Sequence, residues 1–195
     1  MIPTVPKTEF DCRWPIDWLG LHRKYLNDGE MEVIASILRV VEAKSILEIG
    51  CRDGRTARVL LHNVSSLGRY IGVDVPMSYV PSLAHQRAEM VTNPGQFATV
   101  DPRFELVIRQ RGSLDLAPPD FPFLVDAVFI DGDHSEAVVV HDSELARTVV
   151  CPGGAIIWHD YCNEGVEVQK ALDRLSDEGW PIKAVEGTWL AYLAT

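Results

Sequence analysis

The sequence predicts an α/β three-layer sandwich: a mostly parallel seven-stranded sheet, helices on both faces, and one antiparallel strand in a C-terminal hairpin. Three observations lead there. Short apolar runs alternate with stretches of helical period almost to the end of the chain, and such alternation builds parallel sheets covered on both faces. Several runs stop at glycine or an acid, as at Gly50, Asp74 and Asp131. The last two runs, 182–185 and 188–193, are separated only by Glu186 and Gly187, and so short a link permits only an antiparallel hairpin.

Taken in order, residues 1–16 are polar, carry prolines and show no period, which predicts an extended arm. The arm or lid is taken to reach residue 29, with one domain over 30–195. Trp14, Trp18, His22 and Tyr25 belong either to a lid over a substrate or to an arm docked on the core or on another subunit. From Glu30 the period turns helical, with Ile34, Ile37, Leu38 and Val41 at i, i+3, i+4 and i+7. Ser45–Ile49, stopped by Gly50, is the first strand. A second helix follows Gly54, with Ala57, Leu60, Leu61 and Val64 on one face. Tyr70–Asp74 is the second strand. Residues 75–103 carry four prolines and are expected to hold a helix between Ser82 and Thr92. Phe104–Ile108 and Ala127–Ile130 are the third and fourth strands. Asp133 and Glu136 have the spacing of a capping box for a helix running to about Val150. Pro152, Gly153 and Gly154 read as a turn before a fifth strand, Ala155–Trp158, and a further helix is expected near 164–176.

The 195 residues suit one domain. The net charge of −10, without a long block of either sign, disfavours a large phosphate-backbone footprint, which needs clustered Lys and Arg. No nucleic-acid partner is expected, and small or neutral substrates fit better. No run of about 18 apolar residues is present, so no membrane span is expected. The first 14 residues hold two prolines and two acids and do not read as a signal peptide. Cys12, Cys51, Cys151 and Cys162 form no CxxC pair, so reduced thiols and a cytoplasmic protein are expected. Cys51 reads as a small space-filler. Trp180 and Trp189 read as core or interface rather than ligand contacts.

Sheets of this kind bind ligands beyond the carboxyl ends of their strands. Glu48, Gly50 and the loop to Gly54 lie there, with Asp74, the turn at Gly112 and Ser113, Asp131, Asp133 and His134, and His159, Asp160 and Tyr161. Two glycines let the first loop turn tightly and let a ligand approach it. Arg52 stands where a dinucleotide fingerprint has its middle glycine, and Glu48 and Asp53 make the loop unfriendly to phosphate. These acids suit a ligand carrying a cationic amine and a sulfonium. Asp74, 24 residues after Gly50, can accept hydrogen bonds from both ribose hydroxyls. That feature fits a nicotinamide dinucleotide as well as S-adenosylmethionine.

ILEIGCRDGRT, YIGVDV, FIDGDHS and CPGGAIIWHDY resemble, in order and spacing, the successive motifs of class I S-adenosylmethionine-dependent methyltransferases. They are most similar to the branch with metal-dependent small-molecule O-methyltransferases of the catechol, caffeoyl-CoA and antibiotic-sugar kinds. The resemblance runs from about residue 30 to the end. It implies a Rossmann-like fold with Glu48, Gly50, Gly54 and Thr56 around the methionine part of the cofactor. It places Asp74 at the ribose, Gly112 and Ser113 by the adenine, and Asp131 near the methyl group and a divalent cation. In the metal-dependent relatives the fifth strand ends in an acid followed by Asn or Asp. Here His159 replaces the acid and Asp160 keeps an oxygen. The implied ligand set of Asp131, His159 and Asp160 therefore suits manganese, iron or zinc better than magnesium. His134 stands where catechol- and caffeoyl-CoA-type enzymes place a lysine, which implies a base with an ordinary pKa of about 6.5. The resemblance thus implies methyl transfer to a hydroxyl oxygen of a small molecule, with His134 and Asp131 as catalytic residues. A non-methylating member of the fold and, at greater distance, a nicotinamide oxidoreductase are the competing readings. The acceptor is not readable. With no long insertion to enclose it, the pocket is either open or completed by a second subunit of a homo-oligomer.

Overall fold

The computed structural model describes residues 2–121 and 123–195. Its strands are β1 (Thr4–Val5), β2 (Ser45–Ile49), β3 (Arg69–Asp74), β4 (Phe104–Ile108), β5 (Val125–Ile130), β6 (Val150–Trp158), β7 (Lys183–Val185) and β8 (Ala191–Ala194). Its helices are α1 (Glu30–Val40), α2 (Arg55–Asn63), α3 (Glu136–Val149) and α4 (Val168–Asp177). One sheet runs in the order β1-β7-β8-β6-β5-β2-β3-β4. Every pairing is parallel except those of β8, which runs antiparallel to both β6 and β7.

Side chains alternate across a strand with period two, and the strands divide their apolar residues between two helical layers accordingly. Leu47, Ile49, Ile71, Val73, Val128, Ile130, Ile156 and Trp158 face α3 and α4, meeting Val139, Leu145, Ala171 and Leu172. Ile46, Tyr70, Ala127, Phe129 and Ile157 face α1 and α2, meeting Ile34, Leu38, Leu60 and Leu61. Each such Leu or Ile contributes about 1.5–3 kcal/mol by leaving water, so the two buried faces together fix the sheet between its helices. Trp158, fully buried, has its indole N–H satisfied by Ser143 Oγ at 2.9 Å.

Several sequence expectations are corrected. The sheet has eight strands rather than seven, because Thr4–Val5 pairs with β7 along the edge. Ala184 N–H donates to Pro3 O and Glu186 N–H to Val5 O, both at 2.9 Å. The helix expected at 82–92 is only a 3₁₀ segment, Ala84–Glu89. Gln86 there is tied across to the turn after β5, donating to Gly132 O at 3.1 Å and accepting from His134 N–H at 3.3 Å. Pro152, Gly153 and Gly154 lie inside β6, opposite a register shift next to Val125. Thr195 holds them there by accepting from the N–H groups of Gly153 and Gly154. The capping box does not form: Ser135 is the residue before α3, and Asp133 accepts from Ser135 N–H, Ser135 Oγ, Tyr79 Oη and Ser82 N–H. The helix expected from 164 begins at Val168. The final hairpin is antiparallel as expected, but β8 starts at Ala191. The N–H groups of 188–190 turn instead to Val185 O, Glu30 Oε1 and Thr188 Oγ1.

Candidate active site

From the centre of the sheet, β3 and β4 lie to one side of β2, whereas β5 and β6 lie on the other. Such a reversal opens a crevice beyond the strand ends. Here the ends are stepped together: Asp131 N–H donates to Ile49 O at 2.9 Å and His159 N–H to Ile130 O at 3.1 Å. The crevice is a cavity of about 470 Å³, within the range of small-molecule sites. Gly50, Asp74, Val75, Gly112 and Ser113 line one end; Asp131, His134, His159, Asp160, Asn163 and Trp189 line the other. Tyr25, Arg52, Glu89 and Met90 contribute further wall.

Gly50 shows why the first loop needs glycine. Its φ is +88°, and a Cβ there would stand 2.3 Å from Asp131 O. Arg52, also left-handed at φ +49°, donates its N–H to Asp74 Oδ2. Val75 N–H donates to Asp74 Oδ1 at 2.7 Å. Burial outweighs these bonds and pushes the Asp74 carboxyl up to about 6. The Arg52 guanidinium lies 4.4 Å from the Tyr25 ring and donates to Glu89 O at 2.8 Å, joining the N-terminal arm to the loop after β3.

Three of the expected cofactor residues do not line the cavity. Glu48 is buried and accepts from Tyr70 Oη at 3.0 Å; burial, with the charges of Asp131, Asp74 and Asp53, raises its pKa well above the ordinary value. Gly54 is the left-handed residue before α2, and Thr56 sits in that helix's first turn. Asp53 is not the open anion expected from the sequence, because Arg55 Nε at 2.9 Å and Arg52 Nη1 at 3.0 Å hold it. Cation-favouring charge is therefore concentrated at the far end of the cavity.

At that end Asp131, His134 and Asp160 each present a ligand atom within 4.8 Å of the other two. His134 Nε2 stands 3.5 Å from Asp131 Oδ1 and 3.4 Å from Asp160 Oδ2. It is buried and has no hydrogen-bond partner among the described residues. His159 Nδ1 faces the same two oxygens at 3.3 and 3.2 Å. Asp160 takes a left-handed φ of +63°, and its other oxygen accepts from Asn163 Nδ2 at 2.8 Å. Burial opposes charge on Asp131, but the His159 and His134 rings beside it outweigh it and hold the carboxyl well below the ordinary range. Burial likewise opposes charge on His159; Asp131, Asp160 and Glu30 overcome it and raise the ring's pKa well above 6.5. His134 is raised for the same reason, through Asp131 and Asp160.

The residue sequence reasoning missed is Glu30. It is fully buried, and its Oε2 lies 3.1 Å from His159 Nε2, 129 positions away. Its only sequence signal is an acid in a helix's first turn. Trp189, read from sequence as core or interface, lines the cavity, whereas Trp180 is buried beneath Arg147. Cys162 is exposed and outside the cluster; Cys51 is a buried filler. All four cysteines are free. No helix among the described residues is long and apolar enough to cross a membrane.

With this geometry established, comparisons bear on its meaning. A family described as a methyltransferase domain matches residues 47–161. A search of curated proteins finds no match. Among solved structures, an O-methyltransferase from Bacillus cereus in complex with SAH superposes with a TM-score of 0.59 at 17% identity, over 87% of this chain and 82% of that one. TomG from Streptomyces achromogenes, an O-methyltransferase involved in tomaymycin synthesis and bound to SAM, gives 0.55 at 17%, over 87% and 81%. CalS11, a TDP-rhamnose 3'-O-methyltransferase of calicheamicin biosynthesis, gives 0.59 at 18%, over 85% and 78%. At these identities the likeness speaks for the fold.

Proposed function

The chain belongs to the methyltransferase domain family and is a class I S-adenosylmethionine-dependent methyltransferase; from that premise we propose that it methylates a hydroxyl oxygen of a small molecule beside a divalent cation. The observation that carries this reading is that one cavity joins two unlike ends. One has glycine backbone and a carboxylate spaced for a ribose; the other gathers Asp131, His134 and Asp160, with His159 Nδ1 facing the same two carboxylate oxygens.

At the first end, Gly50 leaves room for close approach, Asp74 accepts from the ribose hydroxyls, and Gly112 and Ser113 flank the adenine. Glu48, Gly54 and Thr56 support that end by shaping the loop rather than by touching the cofactor. At the second end, the orphaned His134 Nε2 and the paired oxygens of Asp131 and Asp160 fit a cation. Asp131, His134 and Asp160 would hold it, with His159 Nδ1 on the same point. Two nitrogens and two oxygens suit manganese, iron or zinc better than magnesium. When bound, such an ion supplies Lewis acidity toward an acceptor hydroxyl. Asp131 also places negative charge beside the sulfonium. His134 acts in this reading as a ligand, because its Nε2 faces the carboxylates rather than open cavity; the base role implied by its lysine-like position is the alternative. The remaining gain comes from holding acceptor oxygen and methyl group in line. Residues 1–29 serve as an arm closing one wall through Tyr25, and 30–195 as the catalytic domain; Met1 lies outside the described residues.

Calorimetric titration of metal-stripped protein with S-adenosylhomocysteine, alone and with Mg²⁺, Mn²⁺ or Zn²⁺, tests both ends. Micromolar binding of the nucleoside with a separate isotherm for Mn²⁺ or Zn²⁺ is expected. Product detection by mass spectrometry with vicinal diols and catechols follows. Absence of nucleoside binding by folded protein would overturn the cofactor site, and absence of any metal isotherm would overturn the cation.

A further inference from the structure

We propose that Glu30 is a positioning residue of this site, accepting the Nε2 hydrogen of His159 and so turning Nδ1 toward the point between Asp131 Oδ1 and Asp160 Oδ2. Its link to metal binding rests on the cation proposed above; its link to His159 does not.

Glu30 Oε2 receives Asn27 N–H at 2.5 Å and faces His159 Nε2 at 3.1 Å. Oε1 receives Trp189 N–H at 2.6 Å and Asn27 Nδ2 at 3.0 Å. Two of these partners are backbone N–H groups and can only donate. Three N–H donors besides His159 thus converge on the two oxygens, which favours the ionised carboxylate, a group with no hydrogen to give. His159 Nε2 must therefore carry the hydrogen between them. The hydrogen bond on one ring nitrogen sets the role of the other, and Nδ1 is left facing Asp131 at 3.3 Å and Asp160 at 3.2 Å.

Packing alone does not account for an acid here. Glu30 has no exposed surface, where an apolar side chain would avoid the desolvation cost of a charge. The residue also ties His159 to two walls of the cavity. Asn27 ends the arm that carries Tyr25, and Trp189 lines the cavity itself. Ring-orienting carboxylates of this kind change metal affinity by about 10- to 100-fold when altered.

The test uses the full chain. In metal-stripped protein carrying ¹⁵N-labelled histidine, long-range ¹H–¹⁵N spectra read whether Nε2 of His159 bears hydrogen, the signal being assigned by its loss in His159→Gln. Hydrogen on Nε2 in the wild type, and an altered His159 signal in Glu30→Gln, are expected; a bare Nε2 in the wild type overturns the proposal even if the variant fails to fold. Mn²⁺ alone is then titrated into wild type, Glu30→Gln, His159→Gln and the double variant, with circular dichroism and S-adenosylhomocysteine affinity as controls of folding. Glu30→Gln should weaken Mn²⁺ by about 10- to 100-fold and have no further effect when His159 is already Gln. An undiminished effect in that background would mean that Glu30 acts elsewhere and would overturn the proposal. If the wild type binds nucleoside but no Mn²⁺, the cation reading fails and the spectra decide Glu30: an unchanged His159 signal in Glu30→Gln overturns it, and a changed one upholds it.

Discussion

With Asp74 at the proposed ribose site, cofactor affinity should fall as pH is lowered. Burial pushes its carboxyl up to about 6, and a ribose diol needs the ionised form as acceptor. With that value the group is about 97% ionised at pH 7.5 and about 9% at pH 5. S-adenosylhomocysteine should therefore bind about tenfold more weakly at pH 5, a difference of roughly 1.4 kcal/mol. The stability effect has the opposite sign. A carboxyl whose folded pKa is raised favours the folded state as pH falls from 6 toward its unfolded value, and disfavours it as pH rises through that window. Weaker binding at pH 5 thus does not come from this group unfolding the chain. Asp74→Asn supplies the control. Both oxygens already accept backbone N–H groups, from Val75 and Arg52, so the amide NH₂ must face a donor. Affinity at pH 7.5 should drop by about 1.5–3 kcal/mol, the range for hydrogen bonds to a charged group, and the pH slope between 5 and 7.5 should flatten. Calorimetry from pH 5 to 8 on both proteins reads this directly. A wild-type affinity independent of pH, or a slope unchanged in Asp74→Asn, would remove Asp74 from the ribose site.

Three further outcomes follow from the geometry. Gly50→Ala places a Cβ 2.3 Å from Asp131 O at a φ of +88°; urea unfolding should show a loss of about 1–3 kcal/mol or more, with nucleoside binding abolished. His134→Ala removes the ring whose Nε2 faces Asp131 and Asp160 at 3.5 and 3.4 Å, so calorimetry should show Mn²⁺ binding lost and product assays should show methyl transfer lost. Asp126 Oδ2 accepts from Lys44 N–H, Ser45 N–H and Ser45 Oγ where β2 and β5 both begin, at the edge of the sheet away from the cavity. Asp126→Ala should therefore cost about 1.5–3 kcal/mol in urea unfolding and leave nucleoside affinity unchanged.

The sequence by itself determined what depends on neighbours along the chain. Short apolar runs placed β2 to β5, and helical period placed α1 and α2, because a central strand must be apolar on both faces and a surface helix on one, whatever they meet. Asp74, Asp131 and Asp160 were legible as site residues because strand-end acids are not needed for packing. Tertiary structure decided the rest, wherever a backbone or side-chain group found its partner far away. Thr4–Val5 has no period to reveal it and becomes a strand through backbone bonds to β7. The segment 84–89 follows the anchorage of Gln86 to Gly132 and His134 rather than its own helical pattern. Gly153 and Gly154 stay in β6 because Thr195 accepts their N–H groups. Asp53 looked like an open anion until the fold brought Arg52 and Arg55 onto it. Most of all, the role of His159 was set by Glu30, 129 residues away: a buried ring must satisfy both nitrogens, and only the packing of α1 against the end of β6 supplies the second partner.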